Sequence, residues 1–208
     1  MKILGLSDVV DQSVYSNNIR ERFGDIVIAV SCGDLPAPYL EYVVSMLDVP
    51  LYYVQGNHVY NIETPDKEVR SYPEGAVNLH KRVVYDQKSK LILAGIEGSL
   101  VYNFKPYQYT QAKMWQMVHT LVPRLLRNKV VYGRYLDVFV THAAATGLHD
   151  QDDPAHQGVD AFRWLIDTFK PSLHLHGHIH LYNPLTPRET QYNETRVINT
   201  YGYREITL

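Results

Sequence analysis

Five short polar clusters, each placed directly after an apolar run, carry the residues of this chain that could do chemistry. Asp8 follows the run Lys2 to Ser7. Gly33-Asp34 follows Asp25 to Cys32, and Gly56-Asn57-His58 follows Leu51 to Gln55. His142 follows Leu136 to Thr141, and Gly177-His178-Ile179-His180 follows Ser172 to His176. Carboxylate, amide and imidazole donors without thiolate suit a hard or borderline divalent ion such as Mn, Fe, Zn or Mg. Two such ions, roughly 3.5–4 Å apart, can clamp a phosphate and hold a hydroxide between them. A carboxylate must then bridge them, and a neutral amide adds a ligand without adding charge. One junction of this kind would mean little; five are hard to explain by core packing.

The elements that must position these clusters read as an α/β chain. Ile3 to Leu6 and Asp25 to Val30 are short, buried, β-branched-rich runs and predict strands. Ser13 to Phe23 predicts a helix with Val14, Ile19 and Phe23 inward. Pro36 and Pro38 open a helix to about Leu47, with Leu40, Val43, Val44 and Leu47 on one face. Pro50 precedes a third strand, Leu51 to Val54. The alternation of strand and helix predicts right-handed βαβ units and a parallel sheet. In such sheets ligands bind beyond the carboxyl ends of the strands, where all five clusters lie.

Downstream, 61–75 reads as a surface excursion, and Val83 to Tyr85 with Leu91 to Ile96 as a hairpin. Tyr107 to Arg127 predicts helix, broken or kinked at Pro123. Its Met114, Met117, Val118 and Leu121 are at core spacing. Leu136 to Thr141 predicts a strand. Val159, Phe162, Leu165, Ile166 and Phe169 mark a later helix. Leu173 to Leu175 predicts a strand, and the tail, Arg196 to Thr200 and Tyr203 to Thr207 around Gly202, a closing hairpin.

Length and composition bound the class. The 208 residues suit one domain spanning 1–208, and 45% apolar with 20% charged residues is ordinary for a soluble protein. A net charge of -2 argues against a protein that coats nucleic acid, although a local basic patch would still suffice for contact. The single cysteine, Cys32, excludes an internal disulfide and reads as a small buried residue. The start shows no signal-peptide pattern, and no apolar stretch reaches the roughly 18 residues that cross a bilayer. A cytoplasmic location without membrane contact is the expectation. The sequence leaves the oligomeric state open.

In their order and spacing, Asp8, Gly33-Asp34, Gly56-Asn57-His58, His142 and Gly177-His178-Ile179-His180 resemble the motifs of the calcineurin-like metallophosphoesterase superfamily, in its small prokaryotic form. The resemblance implies a four-layer αββα sandwich of two mixed β-sheets flanked by helices, with the site at its upper edge. It also implies a cofactor of two divalent metal ions, with manganese among the choices. Asp8 and His180 would bind the first metal, Asp34 would bridge both, and Asn57, His142 and His178 would bind the second. His58 would stabilise or protonate the leaving oxygen, and a bridging hydroxide would attack phosphorus in line.

The chain departs from that pattern in three places. Val10 stands where the family usually has a histidine, so the first metal lacks one ligand. Asp11 could replace it, or could serve as the N-cap of the next helix. Val59 stands where a carboxylate commonly orients the catalytic histidine. Ala143-Ala144 follow His142, where prolines are common.

Within the polar loop from Ala143 to Gly158, the stretch Gly147-Leu148-His149-Asp150 through His156-Gln157-Gly158 resembles a loop in a bacterial and archaeal branch of the family. Its His149 and His156 have two readings, substrate contact or loop fixing. His174 and His176 precede the last motif and read as structural. Among the cations, Arg20, Lys105 and Arg134 are equivalent candidates for holding phosphate. The resulting expectation is a phosphomonoesterase or phosphodiesterase acting on a small-molecule or nucleotide phosphoester. The competing class is a catalytically impaired binding or scaffold protein, motivated by Val10 and Val59. A nuclease shares the motifs but usually brings added domains.

Overall fold

A computed structural model describes residues 1–58, 60–63, 69–183 and 185–208; Val59 and its family departure lie outside them. In chain order the elements are β1 Lys2–Ser7, α1 Ile19–Phe23, β2 Ile26–Ser31, α2 Ala37–Leu47, β3 Leu51–Tyr53, β4 Ile62–Glu63 and β5 Val69–Arg70. β6 Ala76–Asn78, β7 Arg82–Tyr85, β8 Ile92–Ile96, β9 Ser99–Leu100 and β10 Gln108–Tyr109 follow. The remainder is α3 Gln111–His119, α4 Val122–Tyr132, β11 Val138–Thr141, α5 Asp160–Phe169, β12 Leu173–His176, β13 Glu189–Tyr192, β14 Thr195–Asn199 and β15 Gly202–Thr207.

Two mixed sheets carry the architecture. The first has the order β15-β1-β2-β3-β6, and the second β13-β14-β12-β11-β8-β7. Within them β1, β2, β3 and β6 run parallel, as do β8, β11, β12 and β14, with antiparallel strands at the edges. Alternation of side chains makes the layers. From the first sheet Ile3, Ile28, Val30 and Tyr52, and from the second Leu93, Val138, Val140, Leu173 and Leu175, share one core between the sheets. The opposite faces are covered by helices. Leu4, Leu6 and Ala29 pack with Phe23, Leu40 and Val43 of α1 and α2. Ile92, Ala94 and Phe139 pack with α3 and α5 through Met114, Val118, Phe162 and Leu165. Strands buried on both faces account for the unbroken apolar runs. The result is an αββα sandwich.

Two sequence expectations need correction. The predicted helix over 13–23 is only α1; Asp11 to Asn18 forms turns, because the Asp11 carboxylate accepts from the Ser13 N–H at 2.8 Å and from its hydroxyl. Side chains that bond their own backbone compete with helix in this way. The expected break near Pro123 is present rather than a kink: α3 ends at His119, and Pro123 sits in the first turn of α4, where a missing N–H costs nothing. The break falls at Thr120, whose hydroxyl bonds back to the Met117 carbonyl at 2.6 Å.

The tail is not a closing hairpin. β14 pairs with β13 and β12 in the second sheet, whereas β15 crosses to pair antiparallel with β1 in the first. Thr200 makes the crossing, with its N–H on the His176 carbonyl at 2.8 Å and its hydroxyl on Ser7 Oγ at 3.1 Å. Each strand thereby satisfies an open sheet edge that a hairpin would have left bare. The Val83–Ile96 hairpin forms as expected.

Candidate metal centre

The carboxyl ends of β1, β2, β3, β11 and β12 meet at one rim. Loop hydrogen bonds extend the strand pairing past those ends: Asp8 N–H to Gly33 O at 3.1 Å, and Gly177 N–H to His142 O at 3.0 Å. Asp8, Asp34 and His178 each turn through left-handed backbone, with φ of 64°, 54° and 66°. Such conformations cost about 1–3 kcal/mol each and persist where their surroundings impose them. Two glycines make the room. A β-carbon on Gly56 would overlap Asp34 Oδ1, and one on Gly177 would lie 2.7 Å from Asp8 Oδ2.

Asp8, Asp34 and His142 each offer a donor atom, all within 4.8 Å of one another. Both aspartate side chains and the histidine are buried. His142 Nδ1 faces the Cys32 carbonyl at 2.8 Å, which fixes it as the N–H donor. Its Nε2 is directed at Asn57 Oδ1, 2.8 Å away, and Asp34 Oδ2, 3.4 Å away. Asn57 is oriented in turn by its amide N–H on the Tyr102 hydroxyl at 3.0 Å.

The charge state reflects this crowding. Burial favours a neutral His142, but Asp34, Asp8 and the Cys32 carbonyl overcome it and raise its pKa to about 9. Burial likewise opposes ionised aspartates. His180 and His142 nevertheless hold Asp8 below the ordinary carboxylate value, and His142 and the His58 N–H do so for Asp34. Two carboxylate oxygens and one imidazole nitrogen on buried side chains thus converge within 4.8 Å. The donor set fits a divalent ion.

The remaining sequence candidates lie around this group. The His178 N–H donates to Asp8, at 3.2 and 3.1 Å to its two oxygens. Its Nε2 donates to the Ala155 carbonyl at 2.7 Å, so Nδ1 carries the lone pair. Burial, then the His142 charge, lower its pKa to about 3, which keeps the ring neutral and able to ligate. His180 Nε2 is 3.6 Å from Asp8 Oδ1, and its Nδ1 is 2.7 Å from the Tyr182 hydroxyl. The His58 N–H donates to Asp34 Oδ1 at 2.8 Å, and its ring Nε2 lies 3.9 Å from Asp34 Oδ2, with 55% of the side chain exposed.

Other candidates go elsewhere. Asp11 spends Oδ1 on the turn at Ser13, outside the Asp8–Asp34–His142 group. Both ring nitrogens of His149 are engaged by protein, one with His176 Nε2 and one with Thr190 Oγ1, each at 2.8 Å. His156 Nδ1 bonds Asp153 at 2.8 Å, and its ring centroid lies 5.2 Å from that of His178.

The cations separate as well. Arg20 bonds the Met46 carbonyl and Arg134 pairs with Asp137 at 2.7 Å. Lys105 instead lines a cavity of about 310 Å³ with His58. Tyr102 and Lys105 gain roles that no spacing in the sequence signals, because a loop far along the chain brings them to Asn57 and His58. The Cys32 thiol is buried and pushed up to about 12, which makes it inert; its carbonyl is what matters.

No family model and no curated protein matches the sequence. Solved structures do match. One crystal structure aligns with 97% of this chain and 90% of its own, at 14% identity and a TM-score of 0.61. TT1561 of Thermus thermophilus aligns with 97% of this chain and 89% of its own, at 15% identity and a TM-score of 0.59. GAP50, the anchor in the inner membrane complex of Plasmodium, aligns over 96% of this chain and 70% of its own, at 13% identity and a TM-score of 0.50. At such identities the likeness is one of fold. Among the described residues no helix is long and apolar enough to cross a membrane. The two mixed sheets with their covering helices form the αββα sandwich that the resemblance of the motifs implies.

Proposed function

We propose that this chain is a metal-dependent phosphoester hydrolase with a dinuclear site. The observation that carries the reading is the convergence of buried Asp8, Asp34 and His142 donors within 4.8 Å. Asp8 and His180 would hold the first ion, Asp34 both, and Asn57, His142 and His178 the second. When bound, two divalent ions supply the charge that grips a phosphate and acidifies water.

The chain's own residues do the rest. Asp34 is fixed by the His58 N–H, and Asn57 by Tyr102, so neither must reorganise as substrate arrives. His142 is locked by Cys32 with Nε2 inward. The His58 ring, close to Asp34 yet open to solvent, can reach a leaving oxygen and give it a proton.

A binding or scaffold protein is the second reading. Val10 packs against the apolar cluster of the first sheet and offers no ligand, and Asp11 gives its Oδ1 to the Ser13 turn. GAP50, of the same fold, is described as an anchor. The deciding assay adds Mn and chromogenic mono- and diester substrates to wild type and to a His58→Ala, Asp34→Asn double variant. Turnover by wild type alone supports the hydrolase; equal, background rates leave the scaffold. A metal count of two per chain is expected alongside.

A further inference from the structure

Contacts link the donors in turn: His58 beside Asp34 at 3.9 Å, Asp34 grouped with Asp8, and His180 beside Asp8 at 3.6 Å. A separate cavity is lined by each of the two flanking histidines, His58 and His180. At His58, about 310 Å³ is lined by Asn57, His58, Tyr60, Lys105 and Pro106. At His180, about 390 Å³ is lined by Gln151, His156, His180, Tyr182, Asn183 and Thr186. We propose that the substrate is a phosphodiester, with its phosphate over the aspartates and one organic arm in each cavity. The proposal rests on the hydrolase reading above.

The two linings differ in the way that two arms require. The His58 cavity holds the proton donor and a lysine, which suits the arm that leaves as an oxygen gaining negative charge. Among the described residues the His180 cavity has no lysine or arginine in its lining, and His156 there is already bonded to the Asp153 carboxylate. It offers amides, a hydroxyl and the face of Tyr182, which is 80% exposed and packs edge-on to His180. That chemistry suits a neutral arm with hydrogen-bonding groups and a flat ring. A monoester has one arm and a second ionised oxygen, and would leave this neutral cavity unused.

The reaction balances with water as the only co-reactant. A phosphorus–oxygen bond forms to the water oxygen, and the bond to the arm at His58 breaks. The His58 proton goes to the departing oxygen, and a proton from water restores His58. The products are an alcohol and a phosphomonoester that keeps its arm in the His180 cavity.

The test compares bis(4-nitrophenyl) phosphate with 4-nitrophenyl phosphate in Mn, in wild type and in Thr186→Trp, which fills the second cavity. The expected result is a kcat/KM at least tenfold higher for the diester. Thr186→Trp should cut that preference about tenfold or more. Calorimetry on the Mn-loaded His58→Ala variant should show the diester binding about tenfold more tightly, a readout independent of turnover. Gln151→Ala, with a melt to confirm folding, repeats the test should the tryptophan variant fail to fold. A preference for the monoester, or equal losses on both substrates, overturns the two-arm assignment and leaves the hydrolase intact. Wild type no better than the double variant on either substrate ends both.

Discussion

His149 Nδ1 lies 2.8 Å from His176 Nε2, and their surroundings permit one direction of donation. His176 Nδ1 faces the Gly177 carbonyl at 3.0 Å and must donate there, so its Nε2 accepts. His149 therefore donates through Nδ1 and accepts the Thr190 hydroxyl at Nε2, 2.8 Å away. The chain of bonds ends on the loop that carries His178 and His180. His149, a candidate for substrate contact in the sequence, has both ring nitrogens engaged in this chain of bonds.

The His149→Ala variant would leave a buried acceptor on His176 without a partner. Such an orphan costs about 1–3 kcal/mol. Urea unfolding should show a loss in that range. Metal affinity should fall about 10-fold or more, as it does when a group supporting a ligand is removed. Unchanged unfolding would show that the relay carries no stability.

Buried histidines set the pH dependence of the metal-free protein. His176 and His178 are pushed down to about 3 and His80 to about 4, all from 6.5 and chiefly by burial. Each contributes stability present above pH 6.5 and lost as pH falls below it, at up to about 1.4 kcal/mol per pH unit. His142, raised to about 9, acts in the opposite sense. Its contribution is present below pH 6.5 and is lost as pH rises through 9. Urea titrations of metal-free protein should find maximal stability near pH 6.5. A flat profile from pH 4 to 9 would contradict this balance.

Gly56→Ala should displace Asp34, since the added carbon would occupy its Oδ1. The expected outcome is a 10- to 100-fold loss of metal affinity by calorimetry, on the order seen for disturbed ligand positioning. Retained affinity would mean that Asp34 can shift without consequence.

Asp11→Ala separates its two sequence readings. Because Asp11 holds the Ser13 turn, the variant should lose about 0.5–2 kcal/mol and keep its metal count. Loss of one ion per chain by elemental analysis would instead make Asp11 a ligand.

The sequence by itself determined the apolar strands and the ordered polar clusters at their ends. Strand burial on both faces and ligand placement after each strand are local properties, legible from runs such as Lys2 to Asp8. It also marked β12, whose alternating leucines and histidines send Leu173 and Leu175 into the inter-sheet core, and His174 onto Phe139 on the other face. Tertiary structure alone decided the partners. Tyr102 on Asn57, Cys32 O on His142, Thr190 on His149 and Lys105 beside His58 join residues far apart in sequence, with no periodicity to announce them. It also sent β15 to the first sheet rather than back onto β14, because open sheet edges are satisfied across the whole fold. Chemistry-bearing residue types are written along the chain; their orientation depends on contacts that exist only once both sheets have closed on each other.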